Sequence, residues 1–287
     1  MLRKKISLAQ VNTAFWQLVR WPNLLLLIFT QYFTKISLID QGQNWEQRLF
    51  DTQLFMLCSA TVLIAAAGYI INDYYDIKID LINKPKRVVI GRYIKRRWAL
   101  GLHQCFSMMG IGLGFFLNKR VVFVNILVVT VLWLYANHFK RTAFWGNFIV
   151  SILTAASVVI LAVFYGKHQT EVYIFGAFSF FISLLREIVK DMEDIRGDAN
   201  FGCQTLPIVW GIRKTKRFVY LILFLFVNTL IISILYLPSL WPIGIVFVPL
   251  ALFFYRLLPA DTRLQFHQLS TLCKYIMLLG VLSMAFV

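Results

Sequence analysis

The stretch from residue 54 to residue 80 reads LFMLCSATVLIAAAGYIINDYYDIKID. Its first part, 54–71, is largely apolar, and about 20 such residues in a helix cross a hydrocarbon core of roughly 30 Å. The second part places Asp73, Asp76 and Asp80 at positions i, i+3 and i+7, which share one face of a helix. The stretch therefore predicts a membrane-spanning helix that ends in a row of carboxylates.

The same acidic spacing recurs 118 residues later, where Asp191, Asp194 and Asp198 follow the apolar stretch 171–190. With Glu193, these two acidic segments hold seven of the 13 acidic residues in a chain that has 29 basic ones. Three carboxylates on one helical face repel each other, and a hard divalent cation with oxygen ligands, such as Mg²⁺, is a usual compensation. We therefore predict metal binding by a first acidic segment (72–80) and a second acidic segment (191–198).

The composition excludes a single soluble domain, because 59% of the 287 residues are hydrophobic and the mean hydropathy is +0.70. Long apolar stretches recur along nearly the whole chain, and each is of a length that spans a bilayer. The predicted spans are 20–38, 54–72, 99–117, 121–137, 146–165, 171–190, 217–237, 240–258 and 268–287. The predicted fold is an all-α, multi-pass helical bundle of about nine transmembrane helices.

We expect one transmembrane domain over 1–287, built from two related halves. Each half has an apolar span, an acidic segment and then a basic loop, and the two loops are predicted at 84–97 and 196–217. Pro85 and Gly91 in the first loop, and several glycines in the second, argue against continuous helices there. Long loops on a compact bundle are common places for functional residues.

The distribution of basic residues predicts the orientation in the membrane. If the N-terminus faces the cytoplasm, only five of the 29 basic residues lie away from the cytoplasmic side. They are Lys35, Arg48, Lys119, Arg120 and Lys167. The expected location is the cytoplasmic (inner) membrane, with the N-terminus and both acidic segments on the cytoplasmic side.

The net charge of +16 is spread over short loops, so it does not indicate a nucleic-acid-binding domain. Anionic lipid headgroups of the bilayer and phosphate-bearing substrates are the expected partners. Four dispersed cysteines show no spacing typical of zinc sites or disulfides, and no protein partner is inferred.

Carboxylates that hold Mg²⁺ beside Lys and Arg side chains suit a diphosphate, whose negative charge grows as its bond to carbon breaks. At a membrane surface, the natural diphosphate substrate is a lipid such as a polyprenyl diphosphate. Loss of diphosphate from an allylic prenyl group leaves a carbocation, which a nucleophile captures. The residues thus favour a prenyl-transfer enzyme.

The two acidic segments, with their flanking residues, resemble the two signatures of the UbiA-type intramembrane prenyltransferases. The first signature covers Asn72–Asp80 and continues through Asn83–Gly91, and the second covers Arg186–Asp198 and continues through Gly202–Pro207. The second is most similar to the digeranylgeranylglyceryl phosphate synthase branch. The resemblance extends to Arg20–Asn23, Tyr135, Lys140-Arg141 and Gly146-Asn147.

The resemblance implies a role for individual residues. The implied Mg²⁺ ligands are Asn72, Asp73, Asp76 and Asp80 for one ion and Asp191, Asp194 and Asp198 for another. The implied diphosphate and substrate contacts are Asn23, Arg87, Lys140, Arg186 and Lys190. Asp73, Asp76, Asp191 and Asp194 are the implied catalytic residues. Glu193 projects off the face of its neighbours, and we interpret it as a structural partner.

The resemblance favours geranylgeranylglyceryl phosphate, an alcohol, as the acceptor of the prenyl group. An aromatic acceptor, as in quinone-type biosynthesis, is an alternative within the same enzyme class. A membrane transporter is an alternative of another class, because carriers also place carboxylates in helical bundles. Carriers, however, hold such acids near the bilayer midplane, whereas these acids lie at the ends of spans.

Overall fold

The computed structural model describes residues 7–40, 49–83, 85 and 88–287, and these residues form ten α-helices and no β-strand. The helices are α1 (Leu8–Leu18), α2 (Trp21–Thr34), α3 (Thr52–Asn83), α4 (Arg96–Phe115), α5 (Lys119–Asn137), α6 (Trp145–Tyr165), α7 (Gln169–Asn200), α8 (Leu206–Tyr236), α9 (Phe247–Leu257) and α10 (Arg263–Ser283). A π-helix, Lys35–Ile39, extends α2. Shorter 3₁₀ segments are Phe139–Arg141, Pro238–Val246 and Met284–Phe286.

Eight helical stretches of the described residues are long and apolar enough to cross a membrane. They are Trp21–Ile39, Thr52–Ile82, Lys119–Asn137, Trp145–Tyr165, Gln169–Asn200, Leu206–Tyr236, Pro238–Leu257 and Arg263–Phe286. This confirms the all-α, multi-pass architecture, and each stretch overlaps a predicted span. The ninth predicted span, 99–117, is helical as α4 but is not among the eight, since His103 and Gln104 make it more polar.

The helices α3 and α7 are both unusually long, at 32 residues each. At 1.5 Å per residue such a helix measures about 48 Å, so it extends well past a hydrocarbon core of roughly 30 Å. In both helices the apolar part comes first and the acidic segment follows without a break. The predicted helical face of carboxylates is therefore confirmed for both segments.

The predicted second basic loop, 196–217, is wrong over most of its length. Helix α7 continues to Asn200 and includes Gly197, which is buried. The next helix, α8, begins at Leu206. Only 201–205 lies outside a helix, although Gly211 breaks the regular geometry of α8 with a φ of 77°. Packing therefore retains a helix through Gly197, where composition alone suggested a loop. Within the first predicted loop, the described residues 85 and 88–95 lie outside the α-helices, whereas Arg96 and Arg97 begin α4.

The chain divides into two compact units, and each carries one acidic segment. Unit 1 comprises 1–29 and 52–139, and in it α3 packs against α4 and α5. A Cβ at Gly110 of α4 would lie 2.6 Å from a side-chain carbon of Ile64, so glycine permits the close approach to α3. The Asn125 side chain of α5 donates to the Gly110 carbonyl at 3.0 Å. Such small-residue contacts and amide hydrogen bonds are typical of helix packing in membranes.

Unit 2 comprises 30–51 and 140–287, and α7 is its central helix, packed against α6, α8 and α10. The ring of Phe178 on α7 is buried and lies against the ring of Phe226 on α8, with centroids 5.4 Å apart. On the side of α10, Gly280 leaves the space that this ring occupies. A Cβ at Gly280 would lie 2.2 Å from Phe178 Cζ. Gly280 therefore permits the close approach of α10 to α7 at this ring.

Replacing Gly280 with alanine is expected to destabilise unit 2 by about 1–3 kcal/mol, because the methyl group forces the packed Phe178 ring to move. Loss of solubilised, monodisperse protein on heating measures the effect. Gly112→Ala is the matched control, since a Cβ at this helical glycine meets nothing within 4 Å. Equal melting temperatures for the two variants would contradict the packing argument.

Candidate active site

The first acidic segment occupies the last turns of α3. Asn72 and Asp76 are buried, whereas Asp73 and Asp80 are partly exposed. The carboxyl end of a helix carries partial negative charge, so carboxylates in its last turn are unfavourably placed. This arrangement lowers stability unless positive charge compensates it, which supports a cation-binding role for the segment.

One compensating charge comes from Arg20, which lies between α1 and α2. Its Nη2 donates to Asp73 Oδ1 at 2.7 Å, and its guanidinium lies over the ring of Tyr69 at 4.9 Å from the centroid. The sequence interpretation gave Arg20 no role, although it had noted the neighbouring Asn23. The available signal was a basic residue directly before the first span. No sequence rule pairs such a residue with an acid 53 positions away.

Asn23, the predicted substrate contact, lies in the first turn of α2 and is half-buried. Its backbone N–H donates to the Arg20 carbonyl at 2.8 Å. The backbone of Arg20 itself adopts a positive φ of 54°, an uncommon conformation for a residue other than glycine. The first turn of α2 thus places Asn23 directly beside the arginine that contacts Asp73.

The second acidic segment lies near the end of α7, and an asparagine from α6 contacts its first carboxylate. Asn147 Nδ2 donates to Asp191 Oδ2 at 2.8 Å, and Asn147 is 6% exposed. Ser151 Oγ in turn donates to the Asn147 carbonyl at 2.6 Å. The amide therefore orients one oxygen of Asp191. Asn147 belonged to the resemblance but received no predicted role, because its partner is 44 residues away.

Two of the four cations predicted to contact diphosphate lie around Glu187 on α7. Arg186 Nη1 is 2.6 Å and Lys190 Nζ 3.8 Å from a Glu187 carboxylate oxygen. The buried Nε of Arg186 has no hydrogen-bond partner among the described residues. A buried charged group with an unpaired donor lowers the stability of an apolar helix, and such groups are commonly functional.

The other two residues predicted to contact diphosphate are Lys140 and Arg87. Lys140 is half-buried in the 3₁₀ segment that precedes α6. Arg87 lies outside the described residues. Among the described residues, Glu187 brings Arg186 and Lys190 together, and Lys140 lies close enough to Cys203 for its charge to lower the pKa of that thiol.

Two residues of α10 also contact the second segment, and sequence reasoning missed both. His267 Nδ1 lies 3.0 Å from Glu193 Oε1, and Arg263 Nη2 lies 4.0 Å from Asp194 Oδ1. The contact of Glu193 with His267 agrees with its interpretation as a structural partner. The residues are separated by 74 positions, and no sequence signal links them.

Each acidic segment offers only oxygen ligands, which suits Mg²⁺. Within the described ranges, no three His, Cys, Asp or Glu side chains already converge on one point. A complete protein cage is not needed, because Mg²⁺ usually keeps waters and binds one or two carboxylates together with substrate phosphates. The donor chemistry of both segments therefore fits the metal.

Cys203, in the short connection after α7, is not suited to act as a nucleophile. Burial, together with the nearby charge of Asp198, raises the pKa of its thiol above the ordinary value. The reactive thiolate is therefore scarce at neutral pH.

The chain matches the UbiA prenyltransferase family over residues 42–267. The digeranylgeranylglyceryl phosphate synthase of Korarchaeum cryptofilum (strain OPF8) is 31% identical over 265 residues, which cover 87% of this chain and 91% of the relative. The synthase of Methanosphaera stadtmanae is 35% identical over 264 residues, covering 87% and 90%.

Among solved structures, a digeranylgeranylglyceryl phosphate synthase superposes with a TM-score of 0.74 and 26% identity, covering 96% of this chain and 98% of that one. A UbiA homologue from Archaeoglobus fulgidus, bound to DMAPP and Mg²⁺, superposes with a TM-score of 0.64 over 94% of this chain and 99% of that one. At 14% identity, this second likeness concerns the fold alone. The chain belongs to the UbiA prenyltransferase family and is an integral-membrane prenyltransferase.

Proposed function

We propose that this enzyme transfers a prenyl group from a polyprenyl diphosphate to geranylgeranylglyceryl phosphate in a Mg²⁺-dependent reaction. The observation that carries the proposal is the pair of long helices, α3 and α7, which both end in carboxylates of the same spacing. The acceptor is supported by the names of the relatives, which are digeranylgeranylglyceryl phosphate synthases at 31% and 35% identity.

In this proposal the two acidic segments hold the metal. The ligands would be Asn72, Asp73, Asp76 and Asp80 in unit 1, and Asp191, Asp194 and Asp198 in unit 2. Bound Mg²⁺ would supply positive charge to the diphosphate leaving group. Carboxylates held on rigid helices suit this task, because a preorganised site needs little rearrangement during the reaction.

The basic residues would bind and orient the diphosphate. Arg186 and Lys190 lie beside the second segment, and Arg186 has a donor available at Nε. Lys140, Arg87 and Asn23 complete the proposed substrate contacts. The bond between the prenyl C1 and the diphosphate oxygen breaks, and the electron pair leaves with the diphosphate. The acceptor hydroxyl oxygen then bonds to C1, and its proton leaves with the released diphosphate, giving an ether.

The distribution of lysine and arginine between the loops supports a location for the reaction. We propose a single transmembrane domain over 1–287 in the cytoplasmic membrane, with the N-terminus and both acidic segments on the cytoplasmic side. The prenyl chains would remain among the apolar helices. No protein partner is required for this chemistry.

An assay of the purified protein tests the proposal. Radiolabelled geranylgeranyl diphosphate is supplied with Mg²⁺ or with EDTA, and with either geranylgeranylglyceryl phosphate or 4-hydroxybenzoate. We expect a labelled ether lipid only with Mg²⁺ and the first acceptor. Product with 4-hydroxybenzoate alone would keep the enzyme class and replace the acceptor. Activity in EDTA would contradict the role of the metal.

Asn147→Ala is expected to raise the Mg²⁺ concentration that gives half-maximal activity by about 10- to 100-fold, because Asp191 loses the hydrogen bond that orients it. Initial rates measured over a Mg²⁺ titration check this result. Asn125→Ala is the matched control, since it also removes a buried amide hydrogen bond but contacts the Gly110 carbonyl instead of an acid. If both variants lose stability equally and neither changes the Mg²⁺ dependence, Asn147 is only structural.

A further inference from the structure

The contact between Arg20 and Asp73 has a consequence for metal binding. We propose that Arg20 is the resident counter-charge of Asp73 in the metal-free protein and competes with Mg²⁺ for its carboxylate. The inference rests on the proposed function, because it takes Asp73 as a metal ligand. It assigns Arg20 as a positioning residue that sets the Mg²⁺ affinity of the first acidic segment.

The geometry is that of a charged hydrogen bond supported by an aromatic ring. Arg20 Nη2 lies 2.7 Å from Asp73 Oδ1, and the guanidinium carbon lies 4.9 Å from the centroid of the Tyr69 ring. Tyr69 precedes Asp73 by one helical turn, so α3 presents ring and carboxylate on the same face. The guanidinium is therefore held at two points of one helix.

The positive charge of arginine makes this contact compete with a metal ion for the same carboxylate. An arginine guanidinium stays protonated in proteins, and it has donors but no acceptor. It cannot coordinate a cation, and it cannot vacate the carboxylate by losing a proton. Mg²⁺ at Asp73 Oδ1 would repel the guanidinium and share the same negative charge with it, so metal binding favours movement of the Arg20 side chain away from this carboxylate.

The structure also allows that movement. The side chain of Arg20 is 38% exposed, whereas its backbone carbonyl accepts from the Asn23 N–H at 2.8 Å. The backbone is thus anchored at the start of α2 while the long side chain can reorient. The guanidinium already lies over the Tyr69 ring. This cation–π contact can still stabilise the side chain after the ion pair with Asp73 is broken.

The second acidic segment provides an internal comparison. There, Arg263 Nη2 lies 4.0 Å from Asp194 Oδ1, and the Arg263 side chain is 59% exposed. This pair is longer and more solvated than Arg20–Asp73, so it competes less with a metal. Removal of the arginine is therefore expected to raise the Mg²⁺ affinity at the first acidic segment and not at the second.

The test is a Mg²⁺ titration of the substrate-free purified protein by isothermal calorimetry. Arg20→Gln is expected to bind Mg²⁺ at least about tenfold more tightly than the natural protein, the size of one charged hydrogen bond. Arg96→Gln is the matched control. It removes the same charge from a guanidinium that lies 4.8 Å from the Tyr74 ring of α3 and, among the described residues, contacts no carboxylate. Arg20→Lys keeps the charge without the planar fork, and a smaller gain is expected.

The outcomes separate this inference from the proposed function. Mg²⁺ binding that is unchanged or weaker in Arg20→Gln would overturn the competition, and a weaker affinity would make Arg20 a permanent support of Asp73. A gain of equal size in Arg96→Gln would also overturn it, since general charge would then explain the effect. If neither the natural protein nor any variant binds Mg²⁺, the inference fails, whereas the proposed function is decided separately by the Mg²⁺ dependence of prenyl transfer. If Arg20→Gln does not fold, Arg20→Lys decides by the same criteria.

Discussion

Replacing Asp76 with alanine is expected to lower prenyl transfer by about 10²- to 10³-fold, because metal-borne charge supplies several kcal/mol of transition-state stabilisation. Asp76 is 3% exposed and lies in the middle of the first acidic segment. Asp194→Ala, at the middle of the second segment, is expected to have an effect of the same order. Both variants should still insert and fold, since removing one of several like charges relieves repulsion.

The measurement is the initial rate of labelled product formation by purified variants at saturating Mg²⁺. Asp261→Ala is the control, because this carboxylate is 77% exposed, pairs with Lys216 at 3.6 Å and, among the described residues, makes no ion pair with either acidic segment. Its rate should match that of the natural protein. Near-normal turnover in Asp76→Ala or Asp194→Ala would show that the mechanism does not need both segments. Size-exclusion profiles exclude misfolding as the cause of a loss.

Local patterns in the sequence were enough to predict the helices that carry the candidate site. Apolar stretches of sufficient length give spans, and the i, i+3, i+7 spacing places Asp73, Asp76 and Asp80 on one face of α3. Both features depend only on residues within a few turns of each other. The glycines were harder to interpret. Gly197 stays within α7, whereas Gly211 breaks α8, and only tertiary packing distinguishes the two.

The partners of the acids could not be predicted, because they come from distant parts of the chain. Arg20 contacts Asp73, and Asn147 contacts Asp191, through hydrogen bonds of 2.7 Å and 2.8 Å. The chain separations of 53 and 44 residues leave no periodic signal. The family resemblance included both residues, but it did not indicate which carboxylate each would contact.

The π-helix at the end of α2 is a second feature that sequence could not show, and it contains a buried ion-pair network. Lys35 Nζ pairs with Asp40, and it lies 2.8 Å from Asp51 Oδ2. Tyr165 Oη donates to Asp51 Oδ2 at 2.9 Å, and Lys35 lies over the Tyr165 ring. Lys35 and Asp40 are five residues apart, which is the spacing that one π-helical turn brings together. The Asp40 N–H also donates to the Lys35 carbonyl at 3.0 Å, so side chains and backbone support the same wide turn.

Lys35→Met is therefore expected to destabilise unit 2 by about 3–5 kcal/mol, because it removes a buried cation that contacts two largely buried carboxylates. The side chains of Lys35 and Asp40 are 4% and 7% exposed, so water cannot replace the lost partner effectively. Unfolding of the solubilised protein by SDS, followed by circular dichroism, measures the change. Lys167→Met is the matched control, because this lysine lies two residues beyond Tyr165 but is exposed.

A compensating variant distinguishes uncompensated charge from lost packing. Lys35→Met combined with Asp40→Asn and Asp51→Asn removes the cation together with both anions, and replacing a whole buried ionic group is often close to neutral. We expect the triple variant to recover most of the stability that Lys35→Met loses. If it is no more stable than Lys35→Met, the aliphatic stem of Lys35 matters more than its charge. In that case the π-helix is held by packing, and the network only accompanies it.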